Sequence, residues 1–327
     1  MKIESFPRKL FLFRNNLCMF AQTQNELHNM KHMSILAVSL LALVACTPEK
    51  KQEADYSQYV NPMIGTDFTG NTYPGAQVPF GMVQLSPDNG LPGWDRISGY
   101  FYPDTTIAGF SHTHLSGTGA GDLYDISFMP VTRPYKEAPA PLGIYSTFSH
   151  NDEAASAGYY RVLLKDYNIN VELTATERCG IQRYTFPEAE ASVFLNLKKA
   201  MNWDFTLDSK IEVVDSTTIR GYRLSQGWSP LQHVYFETRF SKPFVACHMD
   251  TTSIVTKEKG WIGTAYVARF DFNTKKDEEI LVTTGISGVS MEGAGKNLRA
   301  EAPKDDFDYY QAQASANWNR QLSKIEV

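Results

Sequence analysis

Short runs of β-branched and aromatic residues recur between turn signals from residue 59 to residue 290. Several runs alternate apolar and polar residues with a period of two, which is the pattern of strands that are buried on one face. The predicted strands cover residues 159–164, 170–175, 182–186, 192–197, 217–223, 233–240, 261–270 and 280–287. No long helical pattern separates them, so the sequence predicts an all-β fold, a large antiparallel β-sandwich. The acidic segment 187–190, which contains a proline, predicts a hairpin connection between two of these strands.

The end of the chain follows a different period. Apolar residues recur at intervals of three or four, at Phe307, Tyr310, Ala314, Trp318, Leu322 and Ile325. This spacing forms one apolar stripe on a helix, and Asp305 and Asp306 stand where negative charge favours a helix N-terminus. An apolar stripe needs a partner, so the helix either packs back on the sheet or links to a further domain.

Composition excludes several classes of protein. The chain has 43% hydrophobic and 20% charged residues, which is ordinary globular usage and does not indicate a disordered, collagen-like, coiled-coil or multi-span membrane protein. Lys and Arg number 31 against 36 Asp and Glu, and no basic block occurs, so nucleic acid is not an expected partner. An aromatic content of 13% suits strands and sugar-facing surfaces.

The N-terminus has the pattern of an export signal. An apolar run at residues 33–45 follows Lys31 and is too short to span a membrane, for which about 20 residues are needed. Its end, Leu-Val-Ala-Cys, matches the bacterial lipobox, so the sequence predicts a lipid on Cys46. A buried helix that ends in a chance cysteine is the alternative. The prediction is a cell-envelope lipoprotein, in the outer membrane or periplasm, held to the membrane by its lipid.

These patterns divide the chain into five segments. They are an upstream extension from a start codon placed too early (1–29), a lipoprotein signal peptide (30–45), a tether (46–57), the β-sandwich (58–300) and a linker helix (301–327). Beyond Cys46, the mature chain keeps Cys179 and Cys247, which we expect to be free thiols because two cysteines make no disulfide framework.

Long Gly- and Pro-rich loops between residues 61 and 130 carry embedded aromatic residues, carboxylates and histidines, as sites on rigid sandwiches do. Residues 59–131 resemble the N-terminal domain of glycoside hydrolase family 92, the calcium-dependent exo-acting α-mannosidases. The phrase Gly-Phe-Ser-His-Thr-His-Leu-Ser-Gly, at residues 109–117, is the most specific part of the resemblance. The resemblance continues through residues 158–162, 172–176, 183–187 and 285–290, then Ala294 and 297–298. Residues 179–182 (CGIQ) depart from it, since the family commonly has a histidine there.

The resemblance implies a galactose-mutarotase-like supersandwich that is followed, in such enzymes, by an (α/α)₆ barrel. That barrel holds the calcium ligands, the general acid and the general base, and inverting glycosidases separate the two carboxyl groups by about 6.5–9.5 Å. This sequence stops before the barrel, so the expectation is a truncated α-mannosidase half that is inactive alone and has no catalytic residues or cofactor of its own. Calcium is expected in the absent catalytic domain. The expected partners are mannose-containing glycans and a barrel domain, if one is encoded separately.

In the family, loops of this domain help to form the mannose subsite, which makes five residues candidate sugar contacts: Trp94, Asp95, His112, His114 and Ser116. An indole offers an apolar face to sugar C–H groups, and a carboxylate accepts hydrogen bonds from hydroxyls. A core tryptophan and a turn-capping aspartate are the alternatives for Trp94 and Asp95. His112 and His114, two apart, would point to one face of a strand, where they bind substrate, line an interface or are satisfied structural histidines.

The residues also allow other interpretations of the loops and of the whole chain. Asp122 or Asp125 could join the two histidines as metal ligands, but no third ligand shows a fixed spacing, so no metal site is predicted. The glycines at 117, 119 and 121 are expected to permit positive φ in a tight loop. In place of an enzyme domain, the chain could be a carbohydrate-binding display lipoprotein, or a mutarotase-like isomerase in which His112, His114 and Asp122 converge.

Overall fold

The computed structural model describes residues 54–117, 119–198, 204–256 and 261–325. Residues 55–327 form one compact unit. The predicted upstream extension, the signal peptide and Cys46 lie outside the described residues. Among the described residues, none of the helices has both the length and the apolar character that a membrane crossing requires.

Eighteen strands run through the described residues. The first nine are β1 (Ser86–Asp88), β2 (Thr106–Ile107), β3 (Gly109–Ser111), β4 (Ser127–Thr132), β5 (Glu137–Ala138), β6 (Gly143–Ile144), β7 (Ser146–Thr147), β8 (Glu153–Ser156) and β9 (Tyr159–Leu164). The others are β10 (Ile169–Ala175), β11 (Cys179–Phe186), β12 (Ala189–Asn196), β13 (Phe205–Val213), β14 (Thr218–Gln226), β15 (Gln232–Phe240), β16 (Ala246–Thr256), β17 (Trp261–Thr274) and β18 (Glu278–Ser287).

Fourteen of these strands form one hydrogen-bonded sheet. Thirteen follow one another in a continuous path, β1-β3-β4-β12-β17-β13-β14-β15-β18-β11-β10-β9-β8, and β16 lies off this path and pairs with β17. The pairings are antiparallel except that of β13 with β17, where Asp208 opposes Thr264 in parallel. The strands β2 and β7, and the strands β5 and β6, form two small separate antiparallel pairs.

The path folds over on itself into two layers. Phe240 on β15 lies with its ring 5.2 Å from that of Phe270 and 5.7 Å from that of Phe272, both on β17. It also meets Phe128 on β4 edge-on at 6.5 Å. Strands β15 and β17 are not neighbours in the path, so these contacts form across the space between two sheet layers. The predicted all-β sandwich is therefore confirmed.

The alternation in the sequence corresponds to burial in the fold. Along β14, buried and half-buried residues alternate over its nine positions, as expected for a strand with one face on the core. The strand predicted at 159–164 is β9 with the same bounds, and the other predicted strands each fall on an observed one. The strong patterns therefore located the central strands of the sandwich.

The hairpin predicted at residues 187–190 is wrong. Strand β11 pairs with β10 and β18, whereas β12 pairs with β4 and β17. The connection thus leads from one part of the path to a distant part instead of turning back on its own strand. The Thr274 hydroxyl donates to the Pro187 carbonyl oxygen at 2.7 Å and holds this crossing against β17. Turn residues mark where a strand ends but do not specify its next partner.

Two helices follow the last strand, α1 (Met291–Glu301) and α2 (Phe307–Leu322). The Ser290 hydroxyl oxygen accepts from the Gly293 amide at 3.0 Å and caps α1, a helix that the sequence patterns did not predict. The Asp306 carboxylate accepts from the Tyr309 amide at 3.0 Å and caps α2, in the region of the predicted helix.

The stripe on α2 packs against the sheet of its own chain, which is the first of the two arrangements left open above. Phe307, Tyr310 and Ala314 are buried. Gly158 permits the close approach, because a Cβ on it would lie 2.8 Å from the Cβ of Ala314 and its φ is +82°. Further along, the Trp318 indole donates to a backbone carbonyl at 2.7 Å, that of Gln77.

We expect Phe307→Ala to lower the free energy of unfolding by about 3–5 kcal/mol, because the substitution leaves a cavity where a buried ring anchors α2. Urea denaturation measures this change. Ile325→Ala is the matched control, since that side chain is 78% exposed, and should change stability by less than about 0.5 kcal/mol. Equal, small effects of both substitutions would contradict the docking of α2 by its stripe.

Candidate functional site

The signature, residues 109–117, begins in the sheet as strand β3 and then continues as irregular chain. Strand β3 ends at Ser111, so His112 and His114 lie in irregular chain, and the prediction that they share one face of a strand is wrong. Both side chains are turned into the domain, with 0% and 3% of the two residues exposed. This burial is the placement expected of structural histidines, whose imidazoles form their hydrogen bonds inside the fold.

His112 is held as a neutral imidazole. Its Nδ1 lies 2.7 Å from the carbonyl oxygen of Ile126, which can only accept, so Nδ1 carries the proton. Burial lowers the pKa of His112 to about 4. Its Nε2 has no hydrogen-bond partner among the described residues and faces Gly180, where a Cβ would lie 2.7 Å away. His112 therefore serves as a packed, hydrogen-bonded spacer between the signature and β11.

His114 joins two acceptors. Its Nδ1 lies 2.7 Å from the backbone oxygen of Gln84, and its Nε2 lies 2.9 Å from Oδ1 of Asp88. Both contacts are within hydrogen-bond distance, and the side chains of His114 and Asp88 are both fully buried. Gly99 must be glycine here, because its φ is +89° and a Cβ would lie 2.6 Å from Asp88. The pair ties the signature to β1.

A second buried ion cluster lies beneath the neighbouring loop. The guanidinium of Arg223 on β14 is fully buried and donates to Asp125 at 2.7 Å and to Asp204. The other oxygen of Asp125 accepts from the Thr113 hydroxyl at 2.7 Å, and the Leu123 amide donates to Asp204 at 3.2 Å. This cluster therefore connects the signature, the following loop and β14 through charge-assisted hydrogen bonds.

The positive and negative groups in this cluster are not equal in number. It contains one guanidinium and two carboxylates, all removed from water. Burial raises the pKa of Asp204 to about 6, although Arg223 opposes the shift. Removing the guanidinium would leave two uncompensated buried carboxylates, a change that typically costs several kcal/mol. The cluster therefore fixes the loop from beneath and offers no free acid or base to a substrate.

Three of the predicted site residues lie at the surface: Trp94 is 58% exposed, Asp95 is half-buried and Ser116 is exposed. Trp94 begins a short 3₁₀ turn, Trp94–Arg96. The guanidinium of Arg96 donates to both oxygens of Asp104, at 2.5 and 2.6 Å, and so fixes this turn. The indole of Trp94 lies over Gly119, where a Cβ would stand 3.4 Å from the ring and the φ is +70°. A rigid support thus presents an exposed indole.

The metal interpretation finds no support in these contacts. Asp125 pairs with Arg223, and Asp122 accepts from the amide of Trp228 at 2.7 Å. Within the described ranges, His, Cys, Asp and Glu side chains nowhere gather in threes as metal ligands would. Cys179 and Cys247 are free thiols, as expected, and burial raises the pKa of Cys179 to about 12.

Trp228 is a surface residue that the sequence analysis missed. It is 74% exposed and stands in the loop between β14 and β15. A cavity of about 430 Å³ opens beside it, lined by Leu115, Ala120, Asp122, Leu123, Trp228, Ser229 and Gln232. The available signal was the Gly-Trp-Ser-Pro run between two strongly alternating strands, because a large aromatic residue at a hairpin tip is displayed rather than buried.

Comparison with known families gives one match over most of the chain. Residues 59–287 match the profile described as "Glycosyl hydrolase family 92 N-terminal domain". A curated relative, an uncharacterized secreted glycosidase of Arthroderma benhamiae, is 26% identical over 333 aligned residues. The match covers 91% of this chain and 41% of that protein.

Solved structures include similar proteins. A family 92 α-mannosidase from Bacteroides thetaiotaomicron, solved in complex with mannoimidazole, is 37% identical with a TM-score of 0.76, over 83% of this chain and 37% of that one. An inverting mannosidase of family 92 from the same bacterium is 26% identical with a TM-score of 0.69, over 85% of this chain and 37% of that one. The chain thus spans about two fifths of the length of the relatives it matches.

We expect His112→Asn to reduce the loss of stability in acid. The lowered pKa means that the folded protein favours neutral His112, so its contribution to stability is full above about pH 6.5 and is lost as the pH falls to about 4. The loss should be about 3 kcal/mol. Asparagine can still donate to Ile126 but does not titrate. Urea midpoints between pH 4 and 7 measure the effect.

His233→Asn is the matched control for this measurement, because His233 is exposed. It should keep the pH dependence of the wild-type protein. A parallel loss of stability in His112→Asn and in the control as the pH falls would contradict a buried neutral imidazole at His112.

Proposed function

Since the chain belongs to glycoside hydrolase family 92, we propose that it is the N-terminal β-sandwich of an enzyme that hydrolyses α-mannosides. In this proposal it contributes carbohydrate-binding loops to a mannose pocket, and another domain supplies the general acid and base. The observation that carries the proposal is the exposed indole of Trp94, which stands on a turn that the Arg96–Asp104 ion pair fixes. Proteins of the same family that match this chain are named α-mannosidases.

The chemistry at the surface of the loop suits a sugar. An indole face stacks on the C–H groups of a pyranose ring, and the Asp95 carboxylate and Ser116 hydroxyl can exchange hydrogen bonds with its hydroxyl groups. His112 and His114 act in this proposal as positioning residues that hold the loop from inside. A sugar-binding site needs such rigid support, because a protein side chain that must first be ordered lowers the affinity for the sugar.

The carboxylates near the loop have structural partners. Asp88 pairs with His114, Asp125 and Asp204 pair with Arg223, and Asp122 accepts from loop amides. Hydrolysis with inversion needs one carboxylic acid and one carboxylate on opposite sides of an accessible bond. We therefore assign the acid and base to another domain. The calcium that the family resemblance implies is assigned in this proposal to that other domain.

The other interpretations account for less of the molecule. A mutarotase-like isomerase would need His112, His114 and Asp122 at one cleft, but each is buried with its own partners inside the domain. A display lipoprotein would use the same exposed Trp94, but the family membership favours an enzyme domain.

The chain is also proposed to be exported and anchored. The relative from Arthroderma benhamiae is described as secreted. In this chain the lipobox at Cys46 would add a lipid anchor, which holds the protein in the cell envelope.

A chimeric enzyme tests the hydrolytic role. Residues 55–325 replace the matching N-terminal region of the 37% identical α-mannosidase, and hydrolysis of α-mannobiose is measured with calcium present. We expect the chimera to be active and Trp94→Ala to lower kcat/KM by at least about tenfold, because the sugar loses its stacking surface. Val245→Ala is the control, since that side chain is 66% exposed on another part of the fold, and it should leave kcat/KM unchanged.

The chain by itself is assayed in parallel and should give no turnover above buffer. Turnover by the isolated chain would contradict the assignment of acid and base to another domain. A chimera with native circular dichroism but no activity, or a Trp94→Ala chimera as active as the parent, would contradict the assignment of the sugar-binding loops.

Lipid attachment is tested by labelling. In a Gram-negative host fed radiolabelled palmitate, we expect the full-length protein to take up label and Cys46→Ala to take up none, because the thiol is the acceptor. Cys179→Ala removes a buried thiol and should remain labelled. Absence of label on the wild-type protein, or label that persists in Cys46→Ala, would contradict the anchor.

A further inference from the structure

We propose that the cavity beside Trp228 binds a second sugar ring of an α-mannan chain, next to the ring that lies on Trp94. This inference rests on the proposed function and extends it from a single mannose to an oligosaccharide. Four observations carry it: the display of Trp228, the burial of Asp122 beneath it, the shape and lining of the cavity, and its position beside the Trp94 loop.

The side chain of Trp228 is exposed, but its backbone is held by hydrogen bonds. Its own backbone amide donates to Oδ2 of Asp122 at 2.7 Å, and the side-chain amide of Gln232 donates to the same oxygen at 2.9 Å. Gln232 also accepts from the Ser225 hydroxyl at 3.2 Å, which ties the far side of the loop to β14. Gly227 lies so close that a Cβ there would stand 2.2 Å from Asp122. The backbone that carries the indole is therefore held in one arrangement, which lowers the cost in conformational entropy on binding.

Asp122 makes this arrangement unusual. The residue is only 3% exposed, and its Oδ1 has no hydrogen-bond partner among the described residues. A buried carboxylate oxygen without a donor is costly, and such atoms occur where function requires them. Oδ1 lies against Gly227, where a Cβ would stand 2.2 Å away, so Asp122 acts from beneath as a positioning residue that holds the loop.

The cavity has the size and lining for a pyranose. Its volume of about 430 Å³ lies within the range of about 300–1,000 Å³ that is usual for small-molecule pockets. The indole of Trp228 forms one wall, and Leu115, Ala120 and Leu123 form apolar surface beside it. Ser229 adds a hydroxyl group. An apolar, aromatic wall matches the C–H face of a sugar, while the ring hydroxyls stay in water or meet the polar edge.

The position of the cavity indicates an oligosaccharide. Leu115 and Ala120 line it, and Gly119, between them in the chain, packs against the indole of Trp94. The Gly-rich loop therefore contacts the indole of Trp94 and also borders the cavity beside Trp228. A glycan that lies on Trp94 can continue across this loop to Trp228, whereas a monosaccharide can use only one of the two surfaces.

The test compares two ligands on the full chain by calorimetric titration: mannose and linear α-mannotetraose. We expect the tetrasaccharide to bind at least about tenfold more tightly than mannose. Trp228→Ala should bring the two dissociation constants within about twofold of each other and leave the mannose affinity unchanged. Leu231→Ala is the matched control, because that side chain is 52% exposed on the same loop but does not line the cavity, and it should keep the preference for tetrasaccharide.

Asp122→Asn tests the positioning role of this carboxylate. We expect it to weaken tetrasaccharide binding less than Trp228→Ala does, to leave mannose binding unchanged and to make the Trp228 indole more accessible to acrylamide quenching. Increased quenching is not expected if Asp122 serves only global stability. If Trp228→Ala fails to fold, Trp228→Phe replaces it and should give an intermediate preference.

The inference is overturned if the folded wild-type chain binds tetrasaccharide no better than mannose, or if it binds neither. It is also overturned if Trp228→Ala keeps the wild-type preference, in which case the exposed indole meets a protein surface instead of a glycan. These outcomes leave the proposed function standing, because that function is judged by hydrolysis in the chimera and by Trp94→Ala.

Discussion

A single buried guanidinium holds the candidate site together. Arg223 on β14 reaches across to Asp125, beside the signature, and to Asp204, so that three segments distant in the sequence meet at one point. Charges removed from water are tolerated only when they are paired and hydrogen-bonded, and this cluster meets that condition through the Thr113 hydroxyl and the Leu123 amide. The signature and the loop that follows it take their positions from this buried pairing.

One part of the signature is consequently buried in the domain, and another part returns to the surface. His112 and His114 are enclosed, one neutral and bonded to a backbone oxygen, the other paired with Asp88. The glycines that follow bring the chain back to the surface, where it supports the indole of Trp94. The most distinctive residues of the sequence are thus the scaffold, and in the proposed function the surface that meets a sugar consists of aromatic residues displayed on nearby loops.

The sequence allowed the strands and the family to be predicted, because alternating burial and the signature are both local patterns. Pairing partners were less accessible, as residues 187–190 show, since partner choice depends on layers that form far away in the chain. Helix α1 was missed because its two interior glycines weaken the helical pattern. The burial of the two histidines and the exposure of Trp228 could not be predicted for a shared reason: residue type indicates possible chemistry, while burial by distant strands decides whether that chemistry is exposed.

We propose that the displayed indole meets the sugar while the signature histidines only support it. Titration of the isotope-labelled chain with methyl α-mannoside, followed by ¹H–¹⁵N correlation spectra, tests it directly, with Trp94→Phe used to assign the indole signal. The account predicts a progressive shift of the Trp94 indole N–H while the ring signals of His112 and His114 stay in place. Movement of the histidine ring signals with an unchanged Trp94 indole would contradict it.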